Sequence, residues 1–306
     1  MQQNKILIIK FGGLGDVMLS LNAMYSIFKK YNNGITLLTE KPFDSFLKKS
    51  DWFEEIVTIK RSLIYSYDLF QIKKKIKPSL YRRVFDLQTS KRSSHYLKIF
   101  DKNYCEINGI GKHVNIPHDN PNRNNMHTIE RQKDQLKKSK INFSNNINFK
   151  WLEAKNTKFF NLKNYVLLVP GGSGKRLNKR IPVRIFYNIS EILIKKKIKP
   201  VLIGSDDDYE VCAKISRKYP AVLNLCQETS FFDVANLAQN ANFSIGNDTG
   251  PMHIISRCNK KTIVFFTTNS DPNLCRPIGK NVETISYDSD ENIFCKKIVE
   301  QIKLII

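Results

Sequence analysis

Three glycine-bearing stretches carry side chains that could do chemistry. In the first, Gly12-Gly13-Leu14-Gly15-Asp16 follows the apolar run Ile6-Leu7-Ile8-Ile9 and opens into Val17–Tyr25, whose apolar residues recur at helical spacing. Glycine backbone can approach a ligand closely there, and a helix N-terminus favours an ionised carboxylate. Asp16 is therefore a candidate general base, with a plain helix cap as the competing reading. The loop departs from a dinucleotide fingerprint. After Gly13-x-Gly15 the third small residue is replaced by Met18, and the acidic residue expected at the end of the second strand is met only loosely by Glu40.

The second stretch, Pro170-Gly171-Gly172-Ser173-Gly174-Lys175-Arg176-Leu177-Asn178-Lys179-Arg180, gathers mobile backbone, a hydroxyl and four cations in one turn. That combination suits a phosphate, or equally a charged, solvated turn. It is not a P-loop. Gly174-Lys175 is followed by Arg176 where Ser or Thr must hold magnesium, and Val169 stands where that motif needs glycine.

The third stretch, Gly246-Asn247-Asp248-Thr249-Gly250-Pro251-Met252-His253, is the most informative. A strand ends, a turn follows, and Pro251 suits a first helical position. Free amides at a helix N-terminus make an anion site. Thr249 adds a hydroxyl and His253 a ring within the first turn, while Asp248 is either a ligand-site residue, the helix cap, or both.

These loops need elements to hold them. Strand-like runs at 5–11, 35–39, 55–59 and 83–87 alternate with helical spacing at 17–25, 43–49 and 67–76, which predicts a doubly wound parallel α/β sheet. Residues 109–125 lack periodicity and read as a long surface loop, followed by a helix over 127–138. After a polar, Asn-rich stretch from 142 to 163, where a domain boundary is expected, the plan repeats. Strands at 165–169, 200–203, 242–245 and 262–266 alternate with helices at 183–196, 206–218 and 231–239 and one starting at Pro251. In such sheets ligands bind at the carboxyl ends of the strands, which selects the loops at 12–16, 171–180, 204–208 and 247–253.

At 306 residues the chain is long enough for two such domains. No run of 18 apolar residues is present, so an integral membrane protein is not expected, and the N-terminus has no signal-peptide pattern, which places the chain in the cytoplasm. The six cysteines are scattered without a C-x-x-C pair, so neither a zinc site nor a disulfide framework is indicated. A net charge of +22 implies an anionic partner, unless it is merely compositional in a chain rich in Lys, Asn and Ile. No recognition module or basic stripe with stacking aromatics points to nucleic acid.

Taken together, these residues resemble the ADP-heptose:lipopolysaccharide heptosyltransferases of glycosyltransferase family 9. The resemblance runs through Gly15-Asp16-Val17, Asp86-Leu87-Gln88-Thr89-Ser90-Lys91-Arg92-Ser93, His127-Thr128-Ile129-Glu130-Arg131, Pro170–Ser173 with Lys179-Arg180-Ile181-Pro182, and Asp248–His253. It implies a GT-B fold, with two Rossmann-like domains facing a central cleft. Residues 1–155 would bind the acceptor and 156–306 the nucleotide-sugar, and the family fold would suggest that the last helix, over 292–306, crosses back onto the first domain. It further implies Asp16 as base and Lys179 as the lysine meeting the donor diphosphate. Ser173, Asp206, Asp248, Thr249, Gly250 and His253 fall on the donor side, Asp206 being chosen from the run Asp206-Asp207-Asp208 as the ribose ligand. Gly13, Gln88 and Arg92 fall on the acceptor side. The ADP-sugar would be a co-substrate, with no cofactor and no metal. The acceptor would be an anionic glycolipid at the inner face of the inner membrane, with Lys73-Lys74-Lys75, Arg82-Arg83 and Lys91-Arg92 as candidate basic contacts. Ile181 replaces the usual tryptophan and the loop before Lys179 is longer and more basic, so the donor sugar stays open. A transferase with another donor or a protein acceptor, and a non-catalytic nucleotide-sugar binder, are the alternatives.

Overall fold

The structure is a computed structural model that describes residues 4–153, 159, 161–174, 176–288 and 290–306. It forms two compact units, Met1–Asn148 and Phe149–Ile306. The expected junction at 155/156 lies outside the described residues.

In the first unit, β1 (Lys5–Ile9), β2 (Ile35–Thr39), β3 (Glu55–Thr58), β4 (Tyr81–Asp86), β5 (Glu106–Gly109) and β6 (Ile116–Pro117) form one parallel sheet in the order β3-β2-β1-β4-β5-β6. Leu7, Ile8, Ile9, Leu37 and Leu38 are wholly buried, as expected where helices cover both faces of a parallel sheet. The helices are α1 (Leu14–Tyr31), α2 (Phe43–Lys48), α3 (Tyr65–Lys75), α4 (Lys91–Tyr96) and α5 (Thr128–Lys137). On one face Phe11, Leu69, Ile72, Tyr96 and Leu97 pack with strand residues into a core.

The stretch 109–125 is more ordered than its sequence suggests. Gly109 ends β5, and Ile116–Pro117 pairs beside it as the sixth strand, too short to show periodicity. His118 then fixes the return. Its Nδ1 accepts from Arg123 Nε at 3.2 Å, so Nε2 carries the proton and donates to Asp134 on α5 at 2.9 Å. Burial holds the His118 pKa below its ordinary value.

The second unit repeats this order. Strands β7 (Tyr165–Val169), β8 (Lys199–Leu202), β9 (Leu223–Asn224), β10 (Ser244–Asn247), β11 (Thr262–Thr267) and β12 (Val282–Tyr287) run β12-β11-β10-β7-β8-β9, all parallel. Its helices are α6 (Val183–Lys195), α7 (Tyr209–Lys218), α8 (Phe231–Asn240), α9 (Gly250–Ile255), α10 (Pro272–Cys275) and α11 (Glu291–Ile305). Strands β9 and β12 were not expected from the sequence. β12 is only half-buried and β9 is two residues long, so neither leaves a clear apolar pattern.

Helix α11 packs in the second unit. Phe294, Ile298 and Ile302 recur at helical spacing and are buried with Ile185, Ile189 and Phe265. Phe294 sets its ring edge-on against Phe265 and Tyr287, at 5.1 Å in each case. This stripe anchors the helix within the core of the second unit. Among the described residues no helix is long and apolar enough to cross a membrane.

In both sheets the strand order reverses once, between β1 and β4 and between β7 and β10. At such a switch the loops leaving the two central strands diverge and open a crevice for a ligand. The loops after β1 and β4, and after β7 and β10, are therefore the places to find a site.

Candidate active site

At the first switch point, Gly13 is the N-cap of α1 with φ of 77°, a conformation that glycine adopts freely. A Cβ at Gly13 would stand 2.4 Å from Asp16 Oδ2, so the Asp16 side chain folds back over the loop. The helix has no side-chain cap, and the carboxylate is exposed without a hydrogen bond among the described residues. The cap reading of Asp16 therefore fails.

Beneath it lies a group of buried charges that the sequence reading did not assign. Lys10 directly follows β1 and is 4% exposed. Burial pulls its pKa below the ordinary lysine value, while the charges of Asp16 and Asp86 act in the opposite direction. Asp86 ends β4 fully buried, and burial pushes its pKa up to about 6 against the pull of its hydrogen bonds. Its Oδ1 accepts the amides of Gln88 at 3.1 Å and Thr89 at 3.0 Å, and its Oδ2 accepts Ser93 Oγ at 2.9 Å. Asp86 thus shapes the loop into α4. Gln88 Oε1 in turn accepts the amide of Phe11 at 3.0 Å, which ties the two central loops together and leaves the side-chain Nε2 of Gln88 without an acceptor among the described residues. Arg131 on α5 feels the Asp16 charge and donates to Thr128 Oγ1 at 3.2 Å.

Arg92 is committed elsewhere. It pairs with the buried Asp68 at 3.3 Å and stacks over Tyr65, 4.6 Å from the ring centre. Tyr96 also donates to Asp68, which makes this a structural cluster on α3 and α4.

At the second switch point, Lys179 is the centre. Its ammonium donates to Asp248 Oδ2 at 2.7 Å and to Ser270 Oγ at 2.9 Å, and Ser270 donates to the same carboxylate oxygen at 2.5 Å. Asp248 is buried, so it neutralises Lys179 and does not cap α9. The cap position belongs to Thr249, whose side chain makes no capping bond. Gly250 opens the helix and Pro251 stands second, not first. Pro251 has no N–H, and the Met252 amide is used by the Thr249 carbonyl at 3.1 Å. Among the described residues, the amides of Thr249 and Gly250 are the ones left without an acceptor at this turn. His253 is buried one turn further, its carbonyl accepting Ser256 Oγ at 2.9 Å.

The three aspartates after β8 separate cleanly. Asp208 is buried, accepting Gly172 N at 2.8 Å, Arg180 at 3.0 Å, and Ser205 N and Oγ at 2.8 and 2.9 Å. Asp207 accepts Gly174 N at 2.8 Å. Asp206 is exposed and holds only Gln227 Nε2, at 2.7 Å on Oδ1. Two of the three therefore fasten the glycine loop, and Asp206 keeps an oxygen free. Ser173 is exposed in that loop, while Lys175 lies outside the described residues. Asn247 completes the frame, its Nδ2 donating to the carbonyls of Pro170 at 2.7 Å and Gly171 at 3.1 Å. Among the described residues no three His, Cys, Asp or Glu side chains gather as metal ligands.

The model of glycosyltransferase family 9 (heptosyltransferase) matches residues 69–305. No curated protein matches the sequence. Among solved structures, ADP-heptose lps heptosyltransferase II of E. coli superposes with a TM-score of 0.76 at 17% identity, over 98% of each chain. E. coli heptosyltransferase WaaC with ADP superposes with a TM-score of 0.78 at 16% identity, over 99% of this chain and 100% of that one. The same enzyme with ADP-2-deoxy-2-fluoro heptose gives 0.76 at 16% identity, over 98% and 99%. At these identities the likeness concerns the fold.

Proposed function

This chain belongs to glycosyltransferase family 9, and from that premise we propose that it is an inverting transferase moving a heptose from ADP-heptose to an anionic glycolipid acceptor, working from the cytoplasm at the inner membrane. The observation that carries the donor half is Lys179, held at 2.7 Å from Asp248 beside two unspent amides at the switch point of the second sheet. A diphosphate suits that arrangement because a fixed ammonium and backbone dipoles stabilise negative charge without reorganising. The WaaC structures contain ADP and an ADP-heptose analogue in the same fold, which supports the choice of nucleotide.

In this reading Asp16 takes the proton of an acceptor hydroxyl, the oxygen attacks the anomeric carbon, and the bond to the diphosphate breaks with its electron pair on ADP. Configuration at the anomeric carbon inverts. Lys179 and the amides of Thr249 and Gly250 meet the charge that accumulates on the leaving diphosphate. Ser173 faces the same phosphates from the glycine loop. Asp206 offers its second oxygen to a ribose hydroxyl. On the acceptor side, Gln88 retains a free donor, whereas Arg92 acts by bracing α3 and α4 through Asp68. The reaction as written uses no metal.

Asp16→Asn is the test. Because general-base assistance contributes roughly 100- to 10,000-fold, the variant should lose transfer by that factor while binding ADP-heptose as before in calorimetry. Turnover at the parental rate would remove Asp16 from the mechanism. A panel of nucleotide-sugars in thermal shift identifies the donor, and stabilisation by a different sugar nucleotide in place of ADP-heptose would replace the heptose assignment.

A further inference from the structure

Helix α3 and the residues before it expose an apolar stripe that nothing in the first unit covers. Leu63 is 95% exposed, Ile64 66%, Phe70 57% and Tyr67 55%. The opposite face holds Asp68, Leu69 and Ile72 in the core, so the helix is fixed and the stripe must point outward. Tyr67 and Phe70, one turn apart, stack at 6.4 Å, and Lys74, one turn on, lies 5.3 Å from the centre of the Phe70 ring. Lys73, Lys74 and Lys77 are exposed at the far end. Between Lys60 and Lys77 the only carboxylate is Asp68, which is buried and paired.

Of the other basic residues singled out in the sequence, Lys91 is exposed at the start of α4 and the three arginines are occupied. Arg83 pairs with Glu106 at 2.8 Å, Arg82 donates to the Tyr104 carbonyl at 3.2 Å, and Arg92 holds Asp68. The basic surface with an apolar companion is thus the α3 face alone among them.

We propose that this face docks on an anionic lipid bilayer, with Leu63, Ile64, Tyr67 and Phe70 entering the interface and Lys73, Lys74 and Lys77 meeting the headgroups. Aromatic and aliphatic side chains beside lysines on one convex helix match the two parts of that interface, apolar below and negatively charged above. A protein partner fits less well. At roughly 150–250 Å² for each fully exposed aromatic, four partly exposed side chains offer a few hundred Å², short of the ~800 Å² per side that stable interfaces bury. The inference stands on these residues and not on the transferase reading. Only its purpose, bringing the chain to a lipid-borne acceptor, rests on that reading.

Co-sedimentation of the full chain tests it, with vesicles of phosphatidylcholine alone and of phosphatidylcholine mixed with phosphatidylglycerol. Binding is expected on the mixed vesicles only, and should weaken with salt. Replacing Lys73, Lys74 and Lys77 together by Ala should weaken it on the order of 100-fold, about fivefold for each lysine. The triple variant Leu63→Ser, Ile64→Ser, Phe70→Ser should abolish it without changing the melting temperature. Equal binding to neutral vesicles, no binding at all, or retained binding by the apolar variant would each overturn the proposal. So would concentration-dependent self-association in ultracentrifugation that the apolar variant abolishes, since the occupant would then be a second copy. Transfer from ADP-heptose to a water-soluble acceptor, assayed in parallel, should be unaltered in both variants. Its absence from the parent would fault the assigned reaction and leave the vesicle result to decide this surface by itself.

Discussion

Lys179 is half-buried and Asp86 fully buried, and their partners give these two charged groups opposite consequences. Lys179 has a buried counter-ion, so its ammonium is fixed in place before any ligand arrives. A charge-assisted hydrogen bond contributes about 1.5–3 kcal/mol. Lys179→Ala should therefore weaken ADP binding by roughly ten- to a hundredfold in calorimetry, and unchanged affinity would count against its role. Asp86 instead has three hydrogen-bond donors but a pKa raised to about 6 by burial. Its folded pKa exceeds the unfolded one of about 3.9. The folded state then binds the extra proton between those values, and stability from this group is present below about pH 4 and lost as pH rises through about 6. The span of about two pKa units corresponds to roughly 3 kcal/mol. Asp86→Asn keeps an acceptor for the Gln88 and Thr89 amides and cannot ionise. The stability difference between parent and variant, measured by urea unfolding from pH 4 to 7, should shift by about that amount in favour of the variant as pH rises. A difference that stays flat across the range would refute the assignment.

At the scale of elements, the loop after β7 is shaped from outside itself. A Cβ on Gly171 would stand 2.0 Å from Asp208 Oδ1, and Asp208 cannot retreat because it is held by Ser205, Gly172 and Arg180. Gly171→Ala should therefore cost more than the 1–3 kcal/mol usual for overpacking, read in urea unfolding, and should weaken ADP binding because the displaced loop carries Ser173. Gly172→Ala is the control, since its Cβ would meet only Arg180 Cγ and Nε at 3.6 and 3.8 Å. Equal tolerance of both changes would show that Asp208 does not define the loop. The short helix α9 follows the same logic. With Pro251 at its second position and Met252 already bonded, it presents two amides in place of the longer row that a proline-free turn would offer.

For the whole molecule, each unit has a core of its own, and α11 belongs to the second. Phe294 packs on Phe265 and Tyr287 at 5.1 Å and is 1% exposed. Phe294→Ala should cost about 3–5 kcal/mol. Because the lost contacts are all in the second unit, hydrogen exchange should quicken in strands β7, β10 and β11 and stay unchanged in β1, β2 and β4. Equal acceleration in both sheets would show that the two units unfold as one. Part of the net charge of +22 lies on and just after α3, where Lys73, Lys74 and Lys77 are exposed close to the exposed Tyr67 and Phe70.

The alternation of apolar runs with helical spacing was enough to determine the two parallel sheets, because burial on both faces forces continuous apolar strands and covering helices into the sequence. The glycine turns at 12–16, 170–174 and 246–250 were legible for a related reason, since backbone that must bend sharply restricts its residue types. Short strands such as β6 and β9 were not, being too brief to carry a period. Which of three adjacent aspartates is free, that Asp248 neutralises Lys179 instead of capping α9, and that Lys10 and Asp86 share a buried position were decided only in three dimensions. Each depends on partners dozens of residues away, and local spacing holds no record of which charge a folded chain brings against which.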